Sequence, residues 1–86
     1  MRSPAQHRLD RFACAELAAL PDGYLLADDS LRDAMRLRGY PRPLAGEIKE
    51  SIEHLESQGR IHGLRTETGV KWSLTDAGRA WHAQNS

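Results

Sequence analysis

Cysteine occurs once, at Cys14, in a chain of 86 residues, so no internal disulfide framework can staple the fold. A lone thiol fits a reducing, cytoplasmic setting. Long hydrophobic runs are absent: no stretch approaches the roughly 18 apolar residues that a membrane span needs, and Met1-Arg2-Ser3-Pro4 leads into a mixed polar segment unlike a secretory leader. Excess charge is absent as well. Twelve basic residues balance twelve acidic ones, so the molecule as a whole has no generic pull on a polyanion, and any affinity for nucleic acid must come from local patches. Neither a glycine-rich phosphate loop nor a nucleophile elbow is present. His7, His54, His62 and His82 are scattered without cysteine or carboxylate partners at zinc spacing. Asp28-Asp29 reads as a turn and cap pair rather than as paired catalytic carboxylates. These absences argue against an enzyme and predict no catalytic residue, cofactor or metal.

What remains is ordinary for one small globular domain spanning 1–86: 40% hydrophobic and 28% charged residues. Ser3-Pro4-Ala5-Gln6 combines an N-cap serine, a proline at the first helical position and a glutamine placed to close a capping box. Leu9, Phe12, Ala13, Leu17 and Leu20 then recur at helical spacing until Pro21-Asp22-Gly23, which predicts a first helix over 4–20. Cys14 lies beside that stripe and reads as a partly buried structural residue. Tyr24 to Ala27 suits a brief buried strand, and Ser30 with Asp33 offers the N-cap of a short second helix ending at Gly39. The prolines of Gly39-Tyr40-Pro41-Arg42-Pro43 forbid its continuation. Leu44, Ile48, Ile52 and Leu55 place a third helix at 44–58, with Gly59 as its left-handed C-cap. Two strands, 61–66 and 70–74, flank the turn Glu67-Thr68-Gly69, with Val70, Trp72 and Leu74 on one face and Lys71 and Ser73 on the other. Thr75 caps a last short helix, and 83–86 reads as a frayed end.

The order helix, short strand, helix, turn, helix, hairpin, helix resembles a winged helix-turn-helix, an α+β fold with a three-helix core and a small antiparallel sheet. Residues 48–61, IKESIEHLESQGRI, look like the recognition helix and its exit in MarR-like and PadR-like regulators. Residues 72–79, WSLTDAGR, resemble the strand-to-helix junction after the wing in the same families. The resemblance implies a double-stranded DNA partner and a role in transcriptional regulation. It also implies that the exposed face of the third helix enters the major groove while the second helix, the turn and the wing meet the backbone.

On that template the inward set Ile48, Ile52 and Leu55 turns Gly46, Glu50, Glu53 and Ser57 outward, flanked by Glu47 and His54 on one side and by Lys49 and Glu56 on the other. The helix is therefore acidic, which departs from a DNA-binding pattern. Arg32, Arg36, Arg38 and Arg42 precede it, and Arg60, Arg65 and Lys71 follow it, so basic charge brackets the acidic helix. The expected DNA contacts are Arg36, Arg42, Arg65 and Lys71 on the backbone, Lys49 near the groove, and Glu50 within the base-reading face. The same charges can instead pair within the molecule: Arg36 or Arg42 with Glu47 and Glu50, Arg32 with Asp28 and Asp29. The second functional reading is a protein-interaction module whose acidic third helix docks on a basic partner. Trp81, on a helix with few apolar partners, marks either a homodimer contact between terminal helices, helped by Ala15, Ala18 and Ala19, or packing on the chain's own core.

Overall fold

The computed structural model describes residues 1–39 and 41–85. Its first helix, α1 (Pro4–Ala18), begins as the sequence predicts. The Ser3 hydroxyl accepts from the Gln6 amide at 3.1 Å, and the Gln6 side chain accepts from the Ser3 amide at 2.8 Å, so two otherwise orphaned donors are satisfied. A two-residue strand, β1 (Leu26–Ala27), leads straight into α2 (Asp28–Arg38). Helix α3 (Ala45–Ser57), the hairpin β2 (Ile61–Thr66) and β3 (Gly69–Leu74), and α4 (Asp76–Asn85) complete the chain. The sheet has the order β1-β3-β2 and is antiparallel throughout. Among the described residues no helix is long and apolar enough to cross a membrane.

Several elements differ in their bounds from the sequence reading, among them α3, at 45–57 rather than 44–58, and β3, which starts at Gly69 rather than Val70. Helix α1 stops at Ala18, two residues early. The expected strand at 24–27 shortens to 26–27, because Tyr24 is 66% exposed and only Leu26 and Ala27 find partners, opposite Trp72 and Lys71. Helix α2 starts at Asp28, so Ser30 lies inside it rather than capping it. The reason is a tertiary bond: the buried Trp72 indole donates to Asp28 Oδ1 at 2.9 Å while Arg32 holds Oδ2 at 2.7 Å, which engages Asp28 as the first helical residue. Asp28 and Asp29 also place negative charge at the positive end of the helix dipole. Tyr40 lies outside the described residues, as does Ser86; the segment from 83, expected to be loose, is helical through Asn85.

The core forms where the three helices meet the inner face of the sheet. Leu9, Ala13, Cys14 and Leu17 of α1 pack with Leu31 and Met35 of α2, with Ile48, Ile52 and Leu55 of α3, and with Ile61 and Trp72. Helix α3 ends in a Schellman arrangement: the Arg60 amide donates to the Leu55 carbonyl at 2.9 Å and the Gly59 amide to the Glu56 carbonyl at 3.0 Å. Gly59 has a φ of 70°, a conformation that disfavours any residue with a Cβ. The chain thus reverses sharply into β2. The start of α4 is locked to this reversal by Thr75, whose hydroxyl donates to the Gly59 carbonyl at 2.6 Å and accepts from the Gly78 amide at 3.0 Å. The sequence identified Thr75 as the cap, but its second bond to Gly59 is visible only in three dimensions.

Burial, and then the neighbouring Asp10 charge, push the Cys14 thiol up to about 11 from its ordinary 9.0, with Arg60 acting in the opposite sense. Because the native state holds this proton more tightly than the unfolded chain, the associated stability is complete below pH 9.0 and disappears as pH rises toward about 11. Between pH 8 and pH 10, urea titrations should show wild type losing on the order of 1 kcal/mol more than Cys14→Ala. Equal losses would mean that Cys14 is not the responsible group. A second test addresses the α4 junction. A Cβ at buried Gly78 would lie 2.0 Å from the Arg60 carbonyl oxygen and 2.6 Å from Leu74 Cδ1, so Gly78→Ala must displace backbone. It should cost about 2 kcal/mol or more, and an unchanged unfolding midpoint would refute this close approach.

Candidate nucleic-acid interface

Helix α3 is held by its inner face, where Ile48, Ser51, Ile52 and Leu55 are buried, and it shows Gly46, Lys49, Glu53 and Ser57 to solvent. Its acidic residues are far less available than the sequence suggests. Glu47 folds back on the helix start and accepts from the Leu44 amide at 2.8 Å. Glu56 is gripped by Arg65 of the wing, whose two terminal nitrogens reach the two carboxylate oxygens at 3.1 and 3.3 Å. Glu50, expected to face outward, is half-buried because Arg2 bonds to its Oε2. Of the four glutamates only Glu53 has no hydrogen bond or ion pair among the described residues.

The Arg2 contact belongs to a network that the sequence reading missed. Asp10 is 1% exposed, and its carboxylate receives Arg2 through both Nε, at 3.0 Å, and Nη2, at 2.7 Å, together with the Ser51 hydroxyl at 2.5 Å. Burial works against the charge on Arg2, but hydrogen bonds and Coulomb attraction from Asp10 and Glu50 outweigh it and raise the guanidinium above its ordinary value. A fainter signal was present in the sequence, since Ser51 falls in phase with the apolar residues of α3. A polar side chain on a buried stripe requires a polar partner across the interface.

The predicted contact residues fall into distinct places. Arg36 lines a cleft of about 360 Å³ between α2 and α3, with Asp29, Arg32, Asp33, Ala45 and Ile48. It pairs there with Asp33 one helical turn away. Arg42 lies against the opposite flank, beside Phe12, Pro43 and Glu47. Arg42, Lys49 and Lys71 have no ion pair among the described residues. The anticipated pairing of Arg32 with Asp28 is present, whereas Arg38 joins Glu16 on α1. Lys71 stands apart from α3. Its neighbours Val70 and Trp72 point inward with Arg65, which is paired in register with Val70, so strand alternation turns Lys71 to the outer face of the sheet. The wing cation on the α3 side is Arg65.

Trp81 packs on its own chain. His7 meets its ring edge-on at 5.6 Å between centroids, and the Arg60 guanidinium lies 4.9 Å from the ring centroid. Asn85 ties the end of α4 to this cluster: its Oδ1 accepts from His7 Nε2 at 3.2 Å and its Nδ2 donates to the Trp81 carbonyl at 2.8 Å. Ala15 and Ala18 are half-buried and Ala19 is exposed.

No family model matches the chain, and no curated protein matches its sequence. Among solved structures the chain is similar to a protein from Thermoplasma acidophilum described as a candidate transcriptional regulator, with 16% identity and a TM-score of 0.70 over 100% of this chain and 83% of that one. At that identity the likeness speaks for the fold alone. Together with the α1-β1-α2-α3-β2-β3-α4 order and the β1-β3-β2 sheet, it makes this chain a winged helix-turn-helix domain.

Proposed function

We propose that the domain binds double-stranded DNA and serves transcriptional regulation, with α3 laid against the major groove and cations on its two flanks holding the backbone. The observation that carries this reading is the internal occupation of the α3 acids. Glu47, Glu50 and Glu56 are each taken up within the molecule, while Arg42 and Lys49 carry no ion pair among the described residues. Repulsion between an acidic helix and phosphate, the main objection from the sequence, is thereby reduced. Arg36 and Arg65 sit in exposed pairs of little net strength, so each can exchange its carboxylate for a phosphate at small cost. Gly46 has open space around it in the first turn of α3 and permits close approach of a sugar-phosphate chain. The description of the structural neighbour as a candidate regulator supports the same reading. A basic protein partner docking on α3 has less to engage, because Glu53 is the only glutamate there without an internal partner among the described residues. We place this activity in the cytoplasm, where the lone thiol stays reduced.

Titration of a short fluorescent duplex across a salt series should give micromolar binding that weakens with salt. The slope of log affinity against log salt should lie between about −2 and −4, as for two to four released counterions. Arg42→Glu and Lys49→Glu should each weaken binding by about tenfold, Glu53→Lys should leave or improve it, and Lys71→Glu should change it by less than about twofold. Absence of binding at low salt would overturn the proposal. A loss at Lys71 equal to that at Arg42 would overturn the assignment of the contacting face.

A further inference from the structure

Arg2 is the least expected cation in the molecule. It lies outside α1, yet its Nε and Nη2 are committed to the Asp10 carboxylate while its remaining nitrogen, Nη1, reaches Glu50 on α3. A guanidinium has donors on separate edges of one rigid plane, so it can satisfy a buried carboxylate with one edge and still present the other. Asp10 is itself fixed by Ser51, the residue following Glu50 on α3. The three contacts therefore form a closed brace: α3 orients Asp10, Asp10 orients Arg2, and Arg2 returns to α3.

Glu50 is the residue that most needs such a brace. On the helical wheel it lies beside Gly46, Glu53 and Ser57, at the centre of the face turned away from the core. Its side chain is 45% exposed, and one oxygen is buried with no hydrogen-bond partner, so Arg2 supplies the polar contact that this carboxylate makes. Without Arg2 a full negative charge would stand where a polyanion must approach. The wing repeats the device on the other flank, where Arg65 covers Glu56. Arg65 is mostly exposed and can leave, whereas Arg2 is only 21% exposed and doubly anchored.

We infer that Arg2 is a positioning residue for nucleic-acid binding: anchored on buried Asp10, it holds Glu50 in place and offsets part of its charge, so that the presented face of α3 tolerates phosphate. The inference rests on the DNA-binding reading. Removal of Arg2 has two separable effects, because it strips the counter-ion from buried Asp10, which weakens the fold, and it frees the charge of Glu50, which weakens binding.

The experiment measures duplex affinity and thermal midpoint for wild type, Arg2→Ala, Glu50→Gln and the double variant. Arg2→Ala should lower both the midpoint and the affinity, the latter by about tenfold. Adding Glu50→Gln to it should return most of the affinity without returning the midpoint, since Asp10 still lacks its partner. Glu50→Gln alone should bind a few times more tightly than wild type, because the Arg2–Asp10–Glu50 group, one positive and two negative charges, then loses its net negative charge, and this arm holds even if Arg2→Ala does not fold. If the double variant binds as poorly as Arg2→Ala, or if Glu50→Gln alone binds no better than wild type, the positioning role is refuted while the DNA reading stands. If wild type binds no duplex at low salt, both fall together.

Discussion

A carboxylate in a protein core cannot be left to itself, and the burial of Asp10 governs how the helices of this domain meet. The charge is admitted to the interior only with a two-pronged arginine and a hydroxyl around it. Since those partners come from the residues before α1 and from α3, the requirement fixes both against α1 at once. Apolar packing between α1 and α3 sets a distance but is tolerant of rotation about either axis. Directional bonds to Asp10 select one rotation, and with it the strip of α3 that faces solvent.

The wing is secured by the same kind of directional contact. Trp72 fills the space between the sheet and the helices, and the one polar atom of its ring finds Asp28 at the start of α2. At the far end of β3, Thr75 and Gly78 bring α4 down on the exit of α3, close enough that a single methyl group would collide with the Arg60 backbone. Both contacts tie the base of the hairpin to helices, while the turn at Glu67 and Thr68 is exposed. A rigid base with an exposed tip suits a wing that reaches toward a ligand.

Electroneutrality, counted over the whole chain, concealed how charge is distributed. Ion pairs consume Arg2, Arg32, Arg36, Arg38 and Arg65, and with them the acids that would otherwise dominate α3 and the start of α2. Much of this pairing links different elements, such as Arg38 to Glu16 and Arg65 to Glu56, so it also joins α2 to α1 and the wing to α3. Exposed pairs of this kind add little stability each. Their larger effect here is to remove negative charge from one surface.

Order and type of the elements were legible in the sequence because their signals are local. Ser3 with Gln6, the Ile48, Ile52 and Leu55 stripe, Gly59, the Gly69 turn and Thr75 each act within one helical turn or one hairpin, where spacing alone dictates geometry. From those signals the sequence by itself determined a winged helix-turn-helix with α3 buried along one stripe and Trp72 inward. Only the tertiary structure decided which charges remain available. Arg2 and Glu50 are 48 residues apart, Asp10 and Ser51 are 41 apart, and Asp28 and Trp72 are 44 apart. No periodicity connects such residues, since their contact depends on how whole elements pack. For the same reason the placement of Arg65 on the α3 side of the wing, and the cover over Glu50, became visible only once the sheet and the helices were in place.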